Sequence, residues 1–406
     1  MRLRIKVIFL LLIINSSFIW AQAQLKIYCI DVNTGSSALI ISPTNKYVLI
    51  DAGMTNYGSS TVYPYLHNLG ITHLDYTIAT HYHEDHIGGM DEVIYALSGY
   101  GRNDSILNYC YDRGDSTPPS NDIYTGYTSA ASSKRRVIGL DETLNLGGGA
   151  FMFCIARNGH VMNGTGVTPS TGENYRSCAF ILVYCNFRFY IGGDLTGNPV
   201  SGDPDVETKA AVVTGDVNVY VANHHGGRNS STTVFLDSLR PEVAIFSQGT
   251  IPSNNGHPHQ EAIDRLVAHN TYMYQMNDNP TGGVIPTGHG RILNTTAVVM
   301  VYDTYYTING DSYTINPNGI EWDESPHIPF NSQNFQSATI KLYNISGRLL
   351  RTRLIQRPAD NILKSSKDLF HNLASGVYFL HMTAIPSDRQ SALYTRTEKL
   401  VVLPGE

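Results

Sequence analysis

The 406-residue sequence contains few cysteines, and their spacing excludes two common kinds of protein. Its five cysteines are scattered and include no CxxC pair: Cys29, Cys110, Cys154, Cys178 and Cys185. An odd, scattered set excludes a disulfide framework and a cysteine-ligated zinc knuckle. We expect most of them to be buried as small apolar side chains. The sequence allows one disulfide without specifying its pair.

Positive charge is also scarce in the central part of the chain. Residues 25–331 carry 15 basic and 29 acidic side chains, a net charge of −14, whereas the whole chain carries −6. Long polyanions are normally held by Lys and Arg surfaces that release counterions. The composition therefore disfavours extended nucleic acid as a ligand, although a local basic groove would change that expectation.

Beyond the N-terminal region, no apolar run is long enough to cross a membrane. Residues 1–23 have the form of an export signal: the basic stretch MRLRIK, the apolar stretch VIFLLLII and the small residues of AQA. We expect cleavage near Gln24 and a soluble product outside the cytoplasm. A retained signal anchor is the alternative.

The remaining sequence predicts a large and a small domain joined by a linker. Residues 24–308 alternate short apolar strands with helical stretches, and residues 309–332 are rich in turn residues. Residues 333–406 predict a small all-β domain, a β-sandwich with turns at Gly347 and Gly376. Within the large domain, residues 99–136 are polar and rich in tyrosine. We expect them to be an insertion at a substrate-facing rim.

Three of the 15 histidines lie together in the stretch ATHYHEDHIGG. His81 and His83 are two residues apart at the end of a predicted strand, and Asp85 and His86 follow on the turn. Adjacent side chains point in different directions, so one short loop can serve two neighbouring metal ions. Imidazole and carboxylate ligands suit Zn²⁺ or another borderline divalent ion. The alternative is a solvated, histidine-rich loop.

The stretch THYHEDHIGG resembles the signature of the metallo-β-lactamase superfamily, and VLIDAG, YIGGD, NHHGG and NNGHP resemble its other motifs in order. The last two, together with ENYRSCAFILVYCNFRFYIGGD, are most similar to the hydrolase domain of ComEC-type DNA-uptake proteins. Asn174 and Ser177 occupy the N-x-x-S positions of that stretch. Over residues 25–305 the resemblance implies an α/β fold, an αββα sandwich with a metal site at its edge.

The resemblance implies two Zn²⁺ ions, with Mn²⁺ or Fe²⁺ as alternatives. It makes Asp194 the carboxylate that bridges them and places Asp51 beside the site, where we expect it to orient a histidine. The expected metal ligands are His81, His83, Asp85, His86, His160, Asp194 and His257.

Four further histidines lie near these motifs. His257 is expected to join Asp85 and His86 on the second metal. His160 stands where many family members carry a ligand, but the surrounding NGHVMNGTG departs from the family pattern, and a surface histidine is the alternative. The expected catalytic residues are Asp85, His224 and His225. One of the two histidines should face the site as a ligand or as a general acid, and we favour His225.

These residues predict a hydrolase. A carboxylate can bridge two cations about 3.5–4 Å apart with a hydroxide between them. The cations lower the pKa of that water and polarise a scissile carbonyl or phosphoryl group. A phosphodiester or a phosphorylated envelope component is the first choice of substrate, because the most similar motif set implies phosphoester chemistry. A lactone, amide or β-lactam is the alternative, and a non-catalytic metal-binding surface protein is another.

The C-terminal stretches IKLYNISGRLL, LASGVYFLHM and TEKLVVLP resemble the sorting domain of type IX secretion cargo, over about residues 333–406. This resemblance implies export through the type IX machinery to a secreted or cell-surface location. A small β-sandwich that binds a partner or a carbohydrate is the alternative.

Overall fold

The computed structural model describes residues 25–197, 203–249, 256–302 and 304–315, and four further strands between Phe335 and Val402. The predicted signal peptide, residues 1–23, lies outside the described residues, as does the predicted linker from residue 316 onward.

The described chain contains strands and helices in an interleaved order. The strands are β1 (Leu25–Cys29), β2 (Ala38–Ile41), β3 (Tyr47–Ile50), β4 (Leu74–Ile78), β5 (Ile106–Asp112), β6 (Arg135–Val137), β7 (Thr143–Gly147), β8 (Ala150–Arg157), β9 (His160–Val161), β10 (Ala179–Tyr184), β11 (Phe187–Ile191), β12 (Val219–Val221), β13 (Val243–Phe246), β14 (Tyr272–Gln275), β15 (Gly290–Ile292), β16 (Ala297–Val301), β17 (Tyr305–Ile308), β18 (Asp311–Thr314), β19 (Phe335–Asn344), β20 (Leu349–Gln356), β21 (Gly376–Pro386) and β22 (Tyr394–Val402). The α-helices are α1 (Tyr63–Asn68), α2 (Glu84–Ile87), α3 (Met90–Ser98), α4 (Asp122–Ala131), α5 (Glu207–Thr214), α6 (Thr233–Leu239) and α7 (Gln260–Ala268).

Two large mixed sheets are formed by the strands up to β18. The first has the order β18-β17-β16-β1-β2-β3-β4-β5-β6, antiparallel as far as β3 and parallel from β3 to β6. The second has the order β15-β14-β13-β12-β11-β10-β8-β7, parallel from β15 to β11 and antiparallel beyond, with β9 paired to β8.

The two sheets pack face to face with helices on both outer surfaces. Alternate residues of both sheets, such as Ile27 and Phe180, fill the core between them. The outer face of the first sheet packs against α3 and α4 through residues such as Val93. The outer face of the second packs against α5, α6 and α7 through residues such as Phe235. Each such side chain, fully buried, contributes roughly 1.5–3 kcal/mol. The predicted αββα fold class is confirmed.

Residues 99–136 are part of the sandwich, so the expectation of a rim insertion is wrong. They supply β5 and β6 to the first sheet and α4 to its outer helical layer. The polar side chains of this segment pair with one another inside the fold. Buried Asp112 accepts hydrogen bonds from Tyr127 and Arg135. Residues 99–136 therefore contain buried structure although their composition is polar.

The first sheet extends beyond the predicted end of the large domain at residue 308. Strands β17 and β18 form a hairpin whose two turn residues, Asn309 and Gly310, have φ angles of 44° and 92°. Positive φ at both positions is typical of a type I′ turn, for which Asn-Gly is the preferred pair. The start of the predicted linker is therefore a strand.

The C-terminal strands form a third, four-stranded antiparallel sheet in the order β20-β19-β21-β22. Within residues 333–406 the structure describes these four strands, and the β-sandwich expected there stays a prediction. Among the described residues no disulfide is present, and Cys29, Cys110, Cys154 and Cys178 are buried. No described helix is both long and apolar enough to span a bilayer.

Candidate metal centre

The loops that follow five strands meet at one edge of the sandwich. Strands β3 and β4 are parallel neighbours, as are β11, β12 and β13, so their carboxyl ends lie at a common edge. Between these loops lies a cavity of about 220 Å³. It is lined by Thr34, Gly35, His83, Asp85, Asn174, Asp194, His224, His225, Gln248, Gly249 and His257.

Four side chains on one side of the cavity form a cluster that we call the Asp85 group: Asp85, His86, Asp194 and His225. Each offers one potential ligand atom, and all four atoms lie within 4.8 Å of one another. Nε2 of His86 is 3.1 Å from Oδ1 of Asp194, and Nε2 of His225 is 3.2 Å from Oδ2 of Asp85. Three elements far apart in sequence thus converge on one point.

A second cluster, which we call the His81 group, consists of His81, His83 and Asp194. Nε2 of His81 lies 3.1 Å from Nδ1 of His83 and 3.7 Å from Oδ2 of Asp194. Asp194 therefore belongs to both groups. Its Oδ1 faces the Asp85 group and its Oδ2 faces the His81 group.

The hydrogen bonds behind the Asp85 group fix which atoms carry protons. Nδ1 of His86 donates to Oδ2 of Asp51 at 2.7 Å, and Nδ1 of His225 donates to the carbonyl oxygen of Ser247 at 2.6 Å. Both acceptors can only accept, so each neutral ring presents a bare Nε2 to the cavity. These two nitrogens are 3.3 Å apart. Within the described part of the chain, the buried Oδ1 of Asp194 has no hydrogen-bond partner. Converging lone pairs of this kind fit a divalent cation.

The charges of the cluster support the same interpretation. Burial raises the pKa of Asp194, but His86 and His225 outweigh it and hold that pKa well below its usual range. Burial lowers the pKa of His86, but Asp194 and Asp85 outweigh it and raise that pKa well above its usual range. The carboxylates thus attract positive charge to this point. A bound cation would supply that charge and displace the protons.

Asp51 stands behind the cluster rather than in it. It follows β3, is fully buried and has a left-handed φ of 56°. Its Oδ1 accepts from the amide of Thr80 at 2.8 Å, and its Oδ2 accepts from Oγ1 of Thr80 at 2.7 Å as well as from His86. Asp51 therefore orients the His86 ring and the start of the histidine loop.

His224 and His225 diverge because both have a left-handed backbone, with φ angles of 51° and 52°. His225 joins the Asp85 group. His224 lines the cavity, where its Nδ1 donates to Oδ1 of Asn229 at 2.9 Å. Its Nε2 accepts from Nδ2 of Asn174 at 3.1 Å and lies 3.8 Å from Oδ2 of Asp194.

His257 lies in the cavity wall, outside both groups. Its ring centroid is 5.0 Å from that of His224 and 5.9 Å from that of His225. Burial, reinforced by the neighbouring histidines, lowers its pKa to about 2. The position beside Asp85 and His86 that we expected for His257 is taken by His225, which is held there at the end of the buried strand β12.

His160 is not brought to the site. It is exposed on the short strand β9, opposite Arg157 of β8, and forms an isolated bridge with Gly166. The hairpin that carries it turns this side chain toward solvent, so the surface-loop alternative describes its placement.

Comparison with known proteins gives a match over the part of the chain that contains the histidine loop. Residues 31–98 match the model of the metallo-beta-lactamase superfamily, which confirms the resemblance at that level. The chain is 23% identical over 293 residues to ComE operon protein 3 of Bacillus subtilis (strain 168), covering 68% of the chain and 34% of that protein. It is 24% identical over 263 residues to Competence protein ComA of Neisseria gonorrhoeae, covering 64% and 32%. The chain thus spans about a third of the length of these relatives.

Solved structures with a similar fold include two zinc proteins. Zn(2+)-bound PqqB from Methylobacterium extorquens has 13% identity and a TM-score of 0.35, with 62% of this chain and 86% of that one covered. The mono-zinc form of the metallo-beta-lactamase FIM-1 from Pseudomonas aeruginosa has 13% identity and a TM-score of 0.25, with 42% and 62% covered.

Proposed function

We propose that this chain, whose residues 31–98 form a metallo-β-lactamase superfamily segment, is a hydrolase that uses two divalent metal ions to cleave a phosphodiester. The observation that carries the proposal is the position of Asp194. One of its oxygens faces each ligand group, at 3.1 Å from His86 Nε2 and 3.7 Å from His81 Nε2. One oxygen for each cation is the arrangement that a bridging carboxylate requires.

The two groups divide the ligands between two ions. His81, His83 and Asp194 would hold one ion, and Asp85, His86, His225 and Asp194 the other; the nitrogen and oxygen donors favour Zn²⁺, with Mn²⁺ or Fe²⁺ as alternatives. Two such ions would supply Lewis acidity at this point, for activation of a water and polarisation of the scissile bond.

His224 is the residue in the best position to move a proton. Its Nδ1 donates to Asn229, so its Nε2 carries the ring's lone pair, and this nitrogen lies in the cavity wall 3.8 Å from Oδ2 of Asp194. A neutral imidazole held in this way accepts a proton during attack and returns it to the leaving oxygen. Asn174 donates to this same Nε2 at 3.1 Å, so the lone pair takes a proton only when that hydrogen bond is released. We therefore assign general acid–base catalysis to His224 and metal binding to His225.

The choice of substrate rests on sequence similarity and on the size and charge of the site. One of the matched relatives is named as a competence protein, and the motif set resembles ComEC-type hydrolase domains. A cavity of about 220 Å³ admits one phosphodiester with small flanking groups. The described cavity lining contains no Lys or Arg, so extended nucleic acid remains disfavoured. A phosphorylated envelope component fits both observations.

We also propose that the protein is exported by its signal sequence and by the type IX machinery. This proposal rests on residues 1–23 and 333–406 of the sequence. Cell fractionation and the intact mass of the protein recovered outside the cells test it. A protein that stays in the cytoplasm with an intact N-terminus would contradict it.

Metal content and turnover of the purified protein test the hydrolase proposal. We would measure bound metal by mass spectrometry and the hydrolysis of bis-p-nitrophenyl phosphate and of a chromogenic cephalosporin. The variants are Asp85→Ala and Asp194→Ala. Asp75→Asn is the matched control, because Asp75 is a buried carboxylate of β4 whose Oδ2 accepts from the amide of Tyr47.

The expected result is two metal ions per chain and metal-dependent phosphodiester cleavage that both alanine variants lose and the control keeps. Turnover of the cephalosporin alone would move the assignment to acyl hydrolysis. Less than one ion per chain after reconstitution with zinc, without turnover, would show that the chain is a non-catalytic surface protein.

A further inference from the structure

The histidine loop is held from outside the two ligand groups by a carboxylate. Tyr82, the residue between His81 and His83, is buried, and its amide donates to Oε1 of Glu173 at 2.9 Å. The Tyr82 amide belongs to the peptide bond with His81, and the Tyr82 backbone leads directly into His83. The position of the Tyr82 amide therefore sets where both neighbouring histidines lie.

Glu173 is itself fixed by a buried cation. Nε and Nη2 of Arg113 donate to Oε1 and Oε2 of Glu173 at 2.7 and 2.8 Å, a bidentate pair. The Arg113 side chain is fully buried, and its Cζ lies 4.1 Å from the centroid of the Tyr82 ring. The guanidinium therefore contacts both the Glu173 carboxylate and the Tyr82 ring. The same carboxylate accepts the hydrogen bond from the Tyr82 amide.

The segment that begins with Glu173 also contacts the other loops of the site. Nδ2 of Asn174 donates to Nε2 of His224 at 3.1 Å. Oγ of Ser177 accepts from the amide of Asp194 at 3.1 Å. Residues 173–177 thus contact the histidine loop, His224 and the bridging carboxylate, so one short segment sets the relative positions of all three.

Stability alone does not account well for this ion pair, in which Arg113 is fully buried and Glu173 is 14% exposed. Replacement of a buried pair by apolar residues of similar volume is often neutral or stabilising, because desolvation offsets the attraction between the charges. A bidentate pair of charges fixes the relative orientation of its two groups. Here the fixed orientation of Glu173 positions the Tyr82 amide, in the loop that carries two expected ligands.

We propose that Glu173, aimed by Arg113, is a positioning residue that sets the geometry of His81 and His83 and thereby the metal affinity of the His81 group. The inference rests on the proposed function. It assigns to residue 113, in the segment first expected to be a rim insertion, a role in metal binding that involves no contact with the metal.

The test compares Glu173→Ala with Glu173→Gln in the full chain. Alanine removes the acceptor for the Tyr82 amide, whereas glutamine keeps one acceptor and loses the charge that Arg113 aims. The readouts are Co²⁺ and Zn²⁺ titrations, with the visible Co²⁺ bands assigned to each group by means of His83→Ala. Glu142→Ala is the matched control, because Glu142 also accepts from a backbone amide, that of Gly139, and from a side-chain hydroxyl, that of Tyr111.

For Glu173→Ala we expect the affinity of the His81 group to fall by about 10- to 100-fold, the range typical of residues behind metal ligands, with the Co²⁺ bands of the Asp85 group unchanged. Glutamine should restore part of the loss, and Glu142→Ala should bind both ions normally. If Glu173→Ala does not fold, as judged by circular dichroism, Glu173→Gln carries the test with an expected loss smaller than 10-fold but measurable.

Wild-type affinities at the His81 group in every folded Glu173 variant would overturn the inference, and so would an equal loss at both groups. Failure of the proposed function is distinguishable, because it appears in the wild type. A wild-type protein with two ions and no turnover would contradict the proposed hydrolase activity but not the positioning role of Glu173. A wild-type protein with no ion at the His81 group would contradict both the hydrolase proposal and the positioning role.

Discussion

Asp51→Asn tests whether a carboxylate outside the ligand groups controls the protonation of the histidines within them. Asparagine tolerates the left-handed φ of 56° at this position, so the backbone can stay as it is. Its amide oxygen can accept from Thr80 N, as Oδ1 of Asp51 does at 2.8 Å. The amide nitrogen then takes the place of Oδ2 and faces Nδ1 of His86, which now has to accept.

The consequence is a change of tautomer. If Nδ1 of His86 accepts, the ring proton moves to Nε2, the atom that lies 3.1 Å from Oδ1 of Asp194. A protonated Nε2 cannot bind a cation, so metal binding has to restore the unfavourable tautomer first. Residues that orient metal-ligating histidines typically contribute 10- to 100-fold in affinity, which corresponds to about 1.4–2.7 kcal/mol. We expect a loss of that size at the Asp85 group.

The assay is a competition titration with a chromophoric chelator at pH 7, and urea unfolding of the metal-free protein serves as the measure of folding. Asp75→Asn, the same substitution at a buried carboxylate far from the cavity lining, is the control and should bind metal normally. If folded Asp51→Asn binds both ions within 3-fold of the wild type, the tautomer argument is wrong.

Three further predictions follow from the contacts of single residues. Thr80→Val removes the hydroxyl between Asp51 and Nδ1 of His81, and metal titration should show a greater loss at the His81 group than at the Asp85 group. His160→Ala should leave metal content and turnover unchanged, because the side chain is exposed on β9; loss of one ion would contradict its placement. Burial raises the pKa of Glu207 from 4.5 to about 7. The folded state therefore binds the extra proton, and stability falls by about 3 kcal/mol in total as the pH rises from below 4.5 to above about 7. Urea unfolding in chelator at pH 5 and 8 should show a larger fall in the wild type than in Glu207→Gln, in which the histidines of the site still titrate.

Much of the fold was predictable because alternation within a strand is a local property. Stretches such as LKIYCIDV and KYVLIDAG place apolar residues on the faces that the sandwich buries, and they became β1 and β3. Segments whose polar groups satisfy one another inside the fold were not predictable in this way. Asp112, Tyr127 and Arg135 form such a set in residues 99–136. The Asn-Gly turn at residue 309 was a readable hairpin signal that the surrounding turn residues masked.

The candidate site likewise has a part that local sequence predicts and a part that depends on the folded structure. His81, His83, Asp85 and His86 lie on one loop after one strand, so the sequence alone brings them together. The role of His225 depends on left-handed backbone angles at residues 224 and 225. The position of His257 depends on a distant residue, Asn279, whose Nδ2 donates to the His257 carbonyl oxygen at 2.6 Å. Ser247, which fixes the His225 ring, carries no sequence signal, since a carbonyl oxygen can come from any residue.

Asp51 connects these observations, because its contacts reach both ligand groups. It accepts directly from His86, and it accepts the hydroxyl proton of Thr80 at 2.7 Å. The Thr80 oxygen, having donated that proton, presents a lone pair to Nδ1 of His81 at 3.2 Å. One carboxylate therefore favours, in both rings, the neutral tautomer whose Nε2 can bind a cation. The motif VLIDAG lies some thirty residues before the histidines. It contributes to metal binding through Asp51, which fixes the protonation of histidines in a different loop.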